Sequence, residues 1–196
     1  MKKIYLFFLI ITFNFAVNLS ANSTESIKRI SEGSENAQIT IITYESLTCS
    51  HCADFHTNVY PELKKDFIDK GLVRIEFRHF PLDLAALNAS KAAQCNNDGD
   101  SKILHVLFSN QQKWVKGKTA EEANIHLKKF LNEQNFSIDY DKCIIDKKIE
   151  DYILKDRIEG VQKFKVNATP TIIINDKKFE KSLNYKNLKE TLEKLI

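Results

Sequence analysis

The stretch Gln38-Ile-Thr-Ile-Ile-Thr-Tyr-Glu-Ser-Leu-Thr-Cys-Ser-His-Cys52 decides the fold. Its first half, Gln38 to Tyr44, is uncharged and rich in β-branched residues, as expected of a central strand covered on both faces. Glu45 ends that strand. Beyond Cys52 the apolar residues Phe55, Val59, Leu63 and Phe67 recur every three or four positions, which predicts an amphipathic helix to about Lys70, stopped by Gly71. Pro61 lies inside it and is expected to kink it, because proline removes a backbone donor. Val73, Ile75, Phe77 and His79 then alternate with Arg74, Glu76 and Arg78, the pattern of a second strand. Strand, helix and strand in succession make a βαβ unit with parallel strands and a right-handed crossover, so the fold class is α/β.

From Leu82 to about Phe164 strand patterns disappear. Helical stretches are expected at Leu84 to Ala93, Ser101 to Gln111, Thr119 to Leu131 and Lys147 to Phe164, with Thr119 and Glu122 forming a capping box. In the last of these, Leu154, Ile158, Val161 and Phe164 read as one buried stripe. Thr171 to Ile174, the turn Asn175-Asp176 and Lys177 to Glu180 read as a β-hairpin, and Leu188, Leu192 and Leu195 mark a closing helix. The resulting division is a polar leader at 22–37, a βαβ part at 38–81, a helical insertion at 82–150, and a connecting helix with a ββα part at 151–196.

The chain has 196 residues, 43% of them hydrophobic and 28% charged, with only five Gly and three Pro, which suits one globular domain with an insertion. Lys2 and Lys3 precede an apolar run, Ile4 to Val17, and small residues follow up to Ala21. That run is short for a membrane span, so residues 1–21 read as a secretory signal peptide cut near Ala21, with an uncut anchor as the alternative. Removing the two lysines from 29 basic against 26 acidic residues leaves a nearly neutral chain, which lacks the one-signed field of a nucleic-acid binder. The expected setting is an oxidising compartment outside the cytoplasm.

Four cysteines permit three pairings. Cys49 and Cys52 form Cys-Ser-His-Cys at the step from a strand into a helix. There the first sulfur faces unpaired backbone N–H groups and the positive end of the helix dipole, which stabilise a thiolate. Cys52 sits one turn in, placed to form or resolve a disulfide. His51 adds a candidate positive charge beside the thiolate, which would make the disulfide a stronger oxidant. The competing readings of this pair are an inert bridge, which a four-residue loop makes inefficient, and half of a zinc site, for which the isolated Cys95 and Cys143 supply no second close pair although His51 and His56 keep it open. Cys95 and Cys143 stand far apart in the helical block and are expected to form a structural disulfide clamping two helices. Glu45 is either a proton relay to Cys52 or a solvated strand-end carboxylate. His56 packs or faces solvent, His79, His105 and His126 read as structural, and Trp114 either covers the core or lines a peptide groove.

Three further matches surround the motif: Gly33-Ser-Glu-Asn-Ala-Gln-Ile-Thr-Ile-Ile42, Phe77-Arg-His-Phe-Pro-Leu82 and Val166-Asn-Ala-Thr-Pro-Thr-Ile-Ile-Ile174. With the Cys-x-His-Cys and the order βαβ, helical block, ββα, they resemble the DsbA-like thiol:disulfide oxidoreductases. The resemblance covers roughly Gly33 to Ile196. It implies a thioredoxin fold with an inserted helical domain, and an exported, monomeric enzyme that uses no cofactor and no metal. It further implies a periplasmic location, where the enzyme donates a Cys49–Cys52 disulfide to reduced, newly translocated proteins and is reoxidised by a membrane quinone reductase of the DsbB type. In such a protein Thr169-Pro170 would be a cis peptide beside the active disulfide, with the Thr169 backbone binding substrate. Ser50 departs from the proline of the best-known members, which bears on oxidising strength. A disulfide isomerase or reductase of the same fold is the nearest alternative, and a non-catalytic chaperone or metal carrier using Cys49, Cys52 and His51 is an alternative of another class.

Overall fold

The computed structural model of the chain describes residues 26–196, so the segment 1–21, read from the sequence as a signal peptide, lies outside the described residues. Strands β1 (Ser31–Glu32) and β2 (Ile39–Glu45) lead into helices α1 (Ser50–Asn58) and α2 (Tyr60–Leu63), a π-helical turn (Lys64–Ile68) and strand β3 (Val73–His79). The helical block follows: α3 (Leu84–Ala93), α4 (Lys102–Ser109), α5 (Gln111–Trp114), α6 (Ala120–Glu133), α7 (Tyr140–Ile145) and α8 (Lys147–Phe164). Strands β4 (Thr171–Ile174) and β5 (Lys177–Lys178) and helix α9 (Tyr185–Leu192) complete it. One sheet has the order β1-β3-β2-β4-β5, with β2 and β3 parallel and every other neighbouring pair antiparallel.

The register positions the site. Glu45 lies opposite His79 on one side, and Tyr44 lies opposite Thr171 on the other. The loop after β2, the end of β3 and the loop before β4 therefore meet at one edge of the sheet. Both faces are covered, as the uncharged run predicts. Ile39, Ile41, Ile172 and Ile174 pack into the larger core with Phe55, Leu63 and Leu188, while Ile42, Tyr44 and Ile173 meet Phe80, Phe164 and Val166 on the other face. Each such side chain contributes about 1.5–3 kcal/mol through burial.

Four details differ from the sequence expectation. The leader, read from its polar composition as a segment lying over the surface, joins the fold: β1 pairs with β3, Ile30 is buried, and Arg29 holds the buried carboxylate of Asp156 at 2.5 Å. The helix after Cys52 is broken rather than gently kinked, because Val59 leaves helical geometry and Pro61 takes the first turn of α2, where its missing donor costs nothing. Two short helices, α5 and α7, escaped the periodicity analysis. The stripe expected on α8 faces the wrong way: Leu154, Ile158 and Val161 are exposed, and the packed face is Ile149, Ile153, Asp156, Gly160 and Phe164. The packed face uses a glycine because the Tyr44 ring lies where a β-carbon would stand, 2.7 Å away, and an aspartate because Arg29 neutralises it.

Candidate active site

Cys49 is the N-cap residue of α1, and its carbonyl accepts from the backbone N–H groups of Cys52 (3.1 Å) and Ala53 (3.2 Å). The loop that delivers it is held at both ends. Thr48 donates to Asp83 at 2.7 Å, and the Gln111 amide at the start of α5 donates to the carbonyls of Leu47 (2.8 Å) and Cys49 (3.0 Å). Gln111 is a site residue that the sequence did not disclose, because it is distant in the chain and sits in a helix of one turn.

The two cysteines, both free thiols here, occupy opposite environments. Cys49 is partly exposed, whereas Cys52 is fully buried. The Cys49 thiol is pulled down to about 5 by the hydrogen bond from the Cys52 thiol, against the opposing effect of burial, with help from Thr169 and the backbone N–H groups of Cys52 and His51. Cys52 is pushed far above the ordinary thiol range, first by burial, then by its hydrogen bond to Cys49 and the negative charge of Glu45. One sulfur is built to be a thiolate and the other to hold its proton.

The remaining candidates fall into place around this pair. His51 and Ser50 are exposed; the His51 imidazole stands 4.0 Å from Asp54, so its backbone N–H is what it brings to the sulfur. The Thr169-Pro170 bond is cis, and the Cys49 thiol donates to the Thr169 carbonyl at 3.3 Å. Beside it opens a groove of about 610 Å³, lined by His51, Phe55, Val59, Pro170, Leu183 and Tyr185 among others. The second pair, Cys95 and Cys143, is disulfide-bonded and joins the end of α3 to α7. Trp114 is core, its indole donating to the Leu107 carbonyl.

Glu45 corrects the solvated reading. It is only 4% exposed and binds His56 Nε2 at 2.9 Å. His56 is likewise buried, stacked on Phe108 with ring centroids 4.1 Å apart. A signal for this existed: His56 follows Cys52 by four residues and so shares its helix face.

The lowered Cys49 pKa has a sign that heating experiments can read. A group whose pKa falls on folding stabilises the fold above its unfolded value, about 8.5 for a thiol, and loses that contribution as pH falls through the folded value, about 5. Cys52 acts with the opposite sign, but only above the unfolded thiol pKa. In the oxidised form neither sulfur titrates. The Tm of the reduced protein relative to the oxidised one is therefore expected to rise with pH between about 5 and 8.5. A gap that stays constant from pH 4.5 to 8 in paired thermal melts refutes the assignment.

Comparison with known proteins agrees with this geometry. The thioredoxin family model matches residues 25–194. Disulfide bond formation protein D of Bacillus subtilis is 30% identical over 172 residues, covering 83% of this chain and 74% of that protein. A putative protein-disulfide oxidoreductase of Rickettsia bellii is 28% identical over 145 residues, 73% of this chain, and the chain spans 55% of that relative's length. The crystal structure of Wolbachia pipientis alpha-DsbA1 superposes with a TM-score of 0.75 at 29% identity, covering 85% of this chain and 90% of that one. A thiolate-forming cysteine at a helix N-cap, one turn from a buried partner and facing a cis-proline loop, thus sits in a chain that belongs to the DsbA-like thiol:disulfide oxidoreductases of the thioredoxin family.

Proposed function

We propose that the chain is an exported dithiol oxidase, which introduces disulfide bonds into newly translocated proteins in the periplasm through Cys49 and Cys52. The observation that carries this reading is the contrast between the two sulfurs, Cys49 partly exposed with its pKa near 5 and Cys52 buried and proton-holding. In the oxidised enzyme a substrate thiolate attacks the Cys49 sulfur, forming a mixed disulfide and breaking the Cys49–Cys52 bond. Cys52 departs as a thiolate and takes a proton. The second substrate thiolate then attacks the substrate sulfur of the mixed disulfide and expels Cys49, a good leaving group because its thiolate is stabilised. The substrate loses two electrons and two protons, and the enzyme gains them. Thr169 offers backbone hydrogen bonds to an extended peptide lying in the groove. A membrane quinone reductase of the DsbB type, acting on a monomeric enzyme, would restore the disulfide.

The test is direct. Purified oxidised protein is mixed with a peptide carrying two reduced cysteines, and the cyclised product is followed by mass spectrometry. One peptide disulfide formed per enzyme disulfide consumed is the expected result. Failure to oxidise the peptide overturns the proposal, and a strongly reducing potential for the pair turns it toward the reductase or isomerase reading.

A further inference from the structure

The apolar stripe that the sequence marks on α8 exists, but on the outer face of the helix. Leu154, Ile158 and Val161 follow one another at i, i+4 and i+7, so they stand in one row, and they are 37%, 53% and 44% exposed. The core does not need them. The inner face is complete without the row, with Ile149, Ile153 and Phe164 buried, Gly160 beneath the Tyr44 ring and Asp156 neutralised by Arg29.

The charges around the row are mostly of one sign. Among the described residues the ion pairs of α8 join Glu150 to Lys91 and Lys147, Glu159 to Arg78, Asp156 to Arg29 and Lys163 to Asp176. Lys148, Lys155, Arg157 and, at the C-terminal end, Lys165 have no carboxylate partner there, and all four are exposed. Asp151 is the one acid of the helix left unpaired. At about 3.6 residues per turn, Lys148 and Lys155 flank the row on one side and Arg157 on the other. The Arg157 guanidinium lies over the Phe80 ring, 5.0 Å from its centroid, with its charge still open to solvent.

We infer that the outer face of α8 is a docking surface for an anionic phospholipid bilayer. A short apolar row fringed by cations is the pattern of a helix lying in a membrane interface, where aliphatic tips enter between headgroups and the cations meet lipid phosphates. No described helix is long and apolar enough to cross a bilayer, so the contact is peripheral. Charge selects this occupant over others. Two copies of the face would set four unpaired cations against four, and the apolar run Ile4 to Val17 carries no acid to meet them. Only Val166, Asn167 and Ala168 separate Lys165 from Thr169, so a bilayer against α8 keeps the active-site edge close to its surface. The inference is independent of the dithiol-exchange reading, and its test leaves the cysteines untouched.

The experiment places a reporter in the row. Trp114 is the single tryptophan and is fully buried, so Ile158→Trp adds an indole that alone can meet lipid. With vesicles of phosphatidylglycerol and phosphatidylethanolamine its emission is expected to shift to the blue and to be quenched by brominated acyl chains, while wild-type emission stays unchanged. Vesicles of phosphatidylcholine alone should bind about tenfold more weakly or less, and salt at about 0.5 M should release the protein. Adding Lys148→Glu and Lys155→Glu should lower the affinity for anionic vesicles by about tenfold or more. Val161→Trp repeats the measurement one turn further along should the first variant fold poorly. An indole that stays in water beside anionic vesicles overturns the inference, even if the chain sediments with them through another segment. So does binding that ignores lipid charge. A blue shift that grows with protein concentration in the absence of lipid also overturns it, and would assign the face to a second copy of the chain.

Discussion

Cys49→Ser abolishes dithiol oxidation, reducing it to the uncatalysed rate, because the variant can hold no Cys49–Cys52 disulfide and so no oxidising equivalent. Cys52→Ala likewise holds no internal disulfide and oxidises no dithiol, but its Cys49 thiolate still attacks a disulfide-bonded probe, forming a mixed disulfide and expelling one probe thiolate, and this adduct persists because Cys52 is not there to displace Cys49's partner. The same variant also tests why Cys49 is acidic. The hydrogen bond from Cys52 is the largest influence lowering its pKa, ahead of Thr169 and the backbone N–H groups. Without it the pKa climbs from about 5 toward the free-thiol value of about 8.5, which at pH 7 reduces the thiolate from nearly all of the population to a few per cent. Thiolate absorbance against pH measures this. Activity retained in Cys49→Ser would remove the basis of the proposed function, and an unchanged titration in Cys52→Ala would place the acidity in the helix N-terminus alone.

The parts of the fold readable from sequence are those where one residue type has one physical use. The run Ile39, Ile41, Ile42 and Tyr44 can satisfy both faces of a strand only inside a covered sheet, and it does so. The alternation from Val73 to His79 becomes a strand whose buried and half-buried residues alternate without a break. Helices α3 and α8 begin and end where the pattern places them, and Thr119 caps α6 by accepting from Glu122 N–H. Asn175 and Asp176 take the positive φ angles that an Asn-Asp hairpin turn uses.

The failures share a cause: a buried polar or small residue looks like a surface residue until its partner is known. Asp156 and Gly160 on α8 read as surface positions beside larger apolar neighbours, because neither Arg29 nor the Tyr44 ring is visible from the helix itself. Glu45 reads from sequence as a solvated carboxylate as readily as a relay for the same reason. Its partner His56 lies 11 positions away, the residue that His56 bonds in turn, His105, another 49, and the partner of His105, Glu32, is in the supposed leader. Periodicity finds faces; it does not find partners. Cysteine spacing was the exception, because the Cys-x-x-Cys motif carries its own partner within one helical turn.

Replacing Cys95 and Cys143 together by alanine is expected to cost about 2–4 kcal/mol of stability, or roughly 4–16 °C in Tm for a chain of this size. The bridge spans 48 positions, and closing so long a loop in the unfolded chain is worth close to 4 kcal/mol in the chain-entropy account. The lower bound allows for contacts that survive its removal. Small residues Ala86, Ala89, Ala92 and Ala93 remain packed in the block, and the buried Lys91 ammonium still holds Glu150 and the Ile144 carbonyl beside Cys143. Redox chemistry should be spared. None of the bonds that lower the Cys49 pKa comes from α7 or from the end of α3 near Cys95, and the loop before Cys49 is tied to the helical block through Gln111 on α5 and Asp83, the N-cap at the opposite end of α3. Denaturant unfolding of the variant, paired with its Cys49 titration, separates the two effects. A stability loss under about 0.5 kcal/mol means that the bridge is no clamp, and a shifted Cys49 pKa means that the helical block speaks to the sulfur by a route other than Gln111 and Asp83.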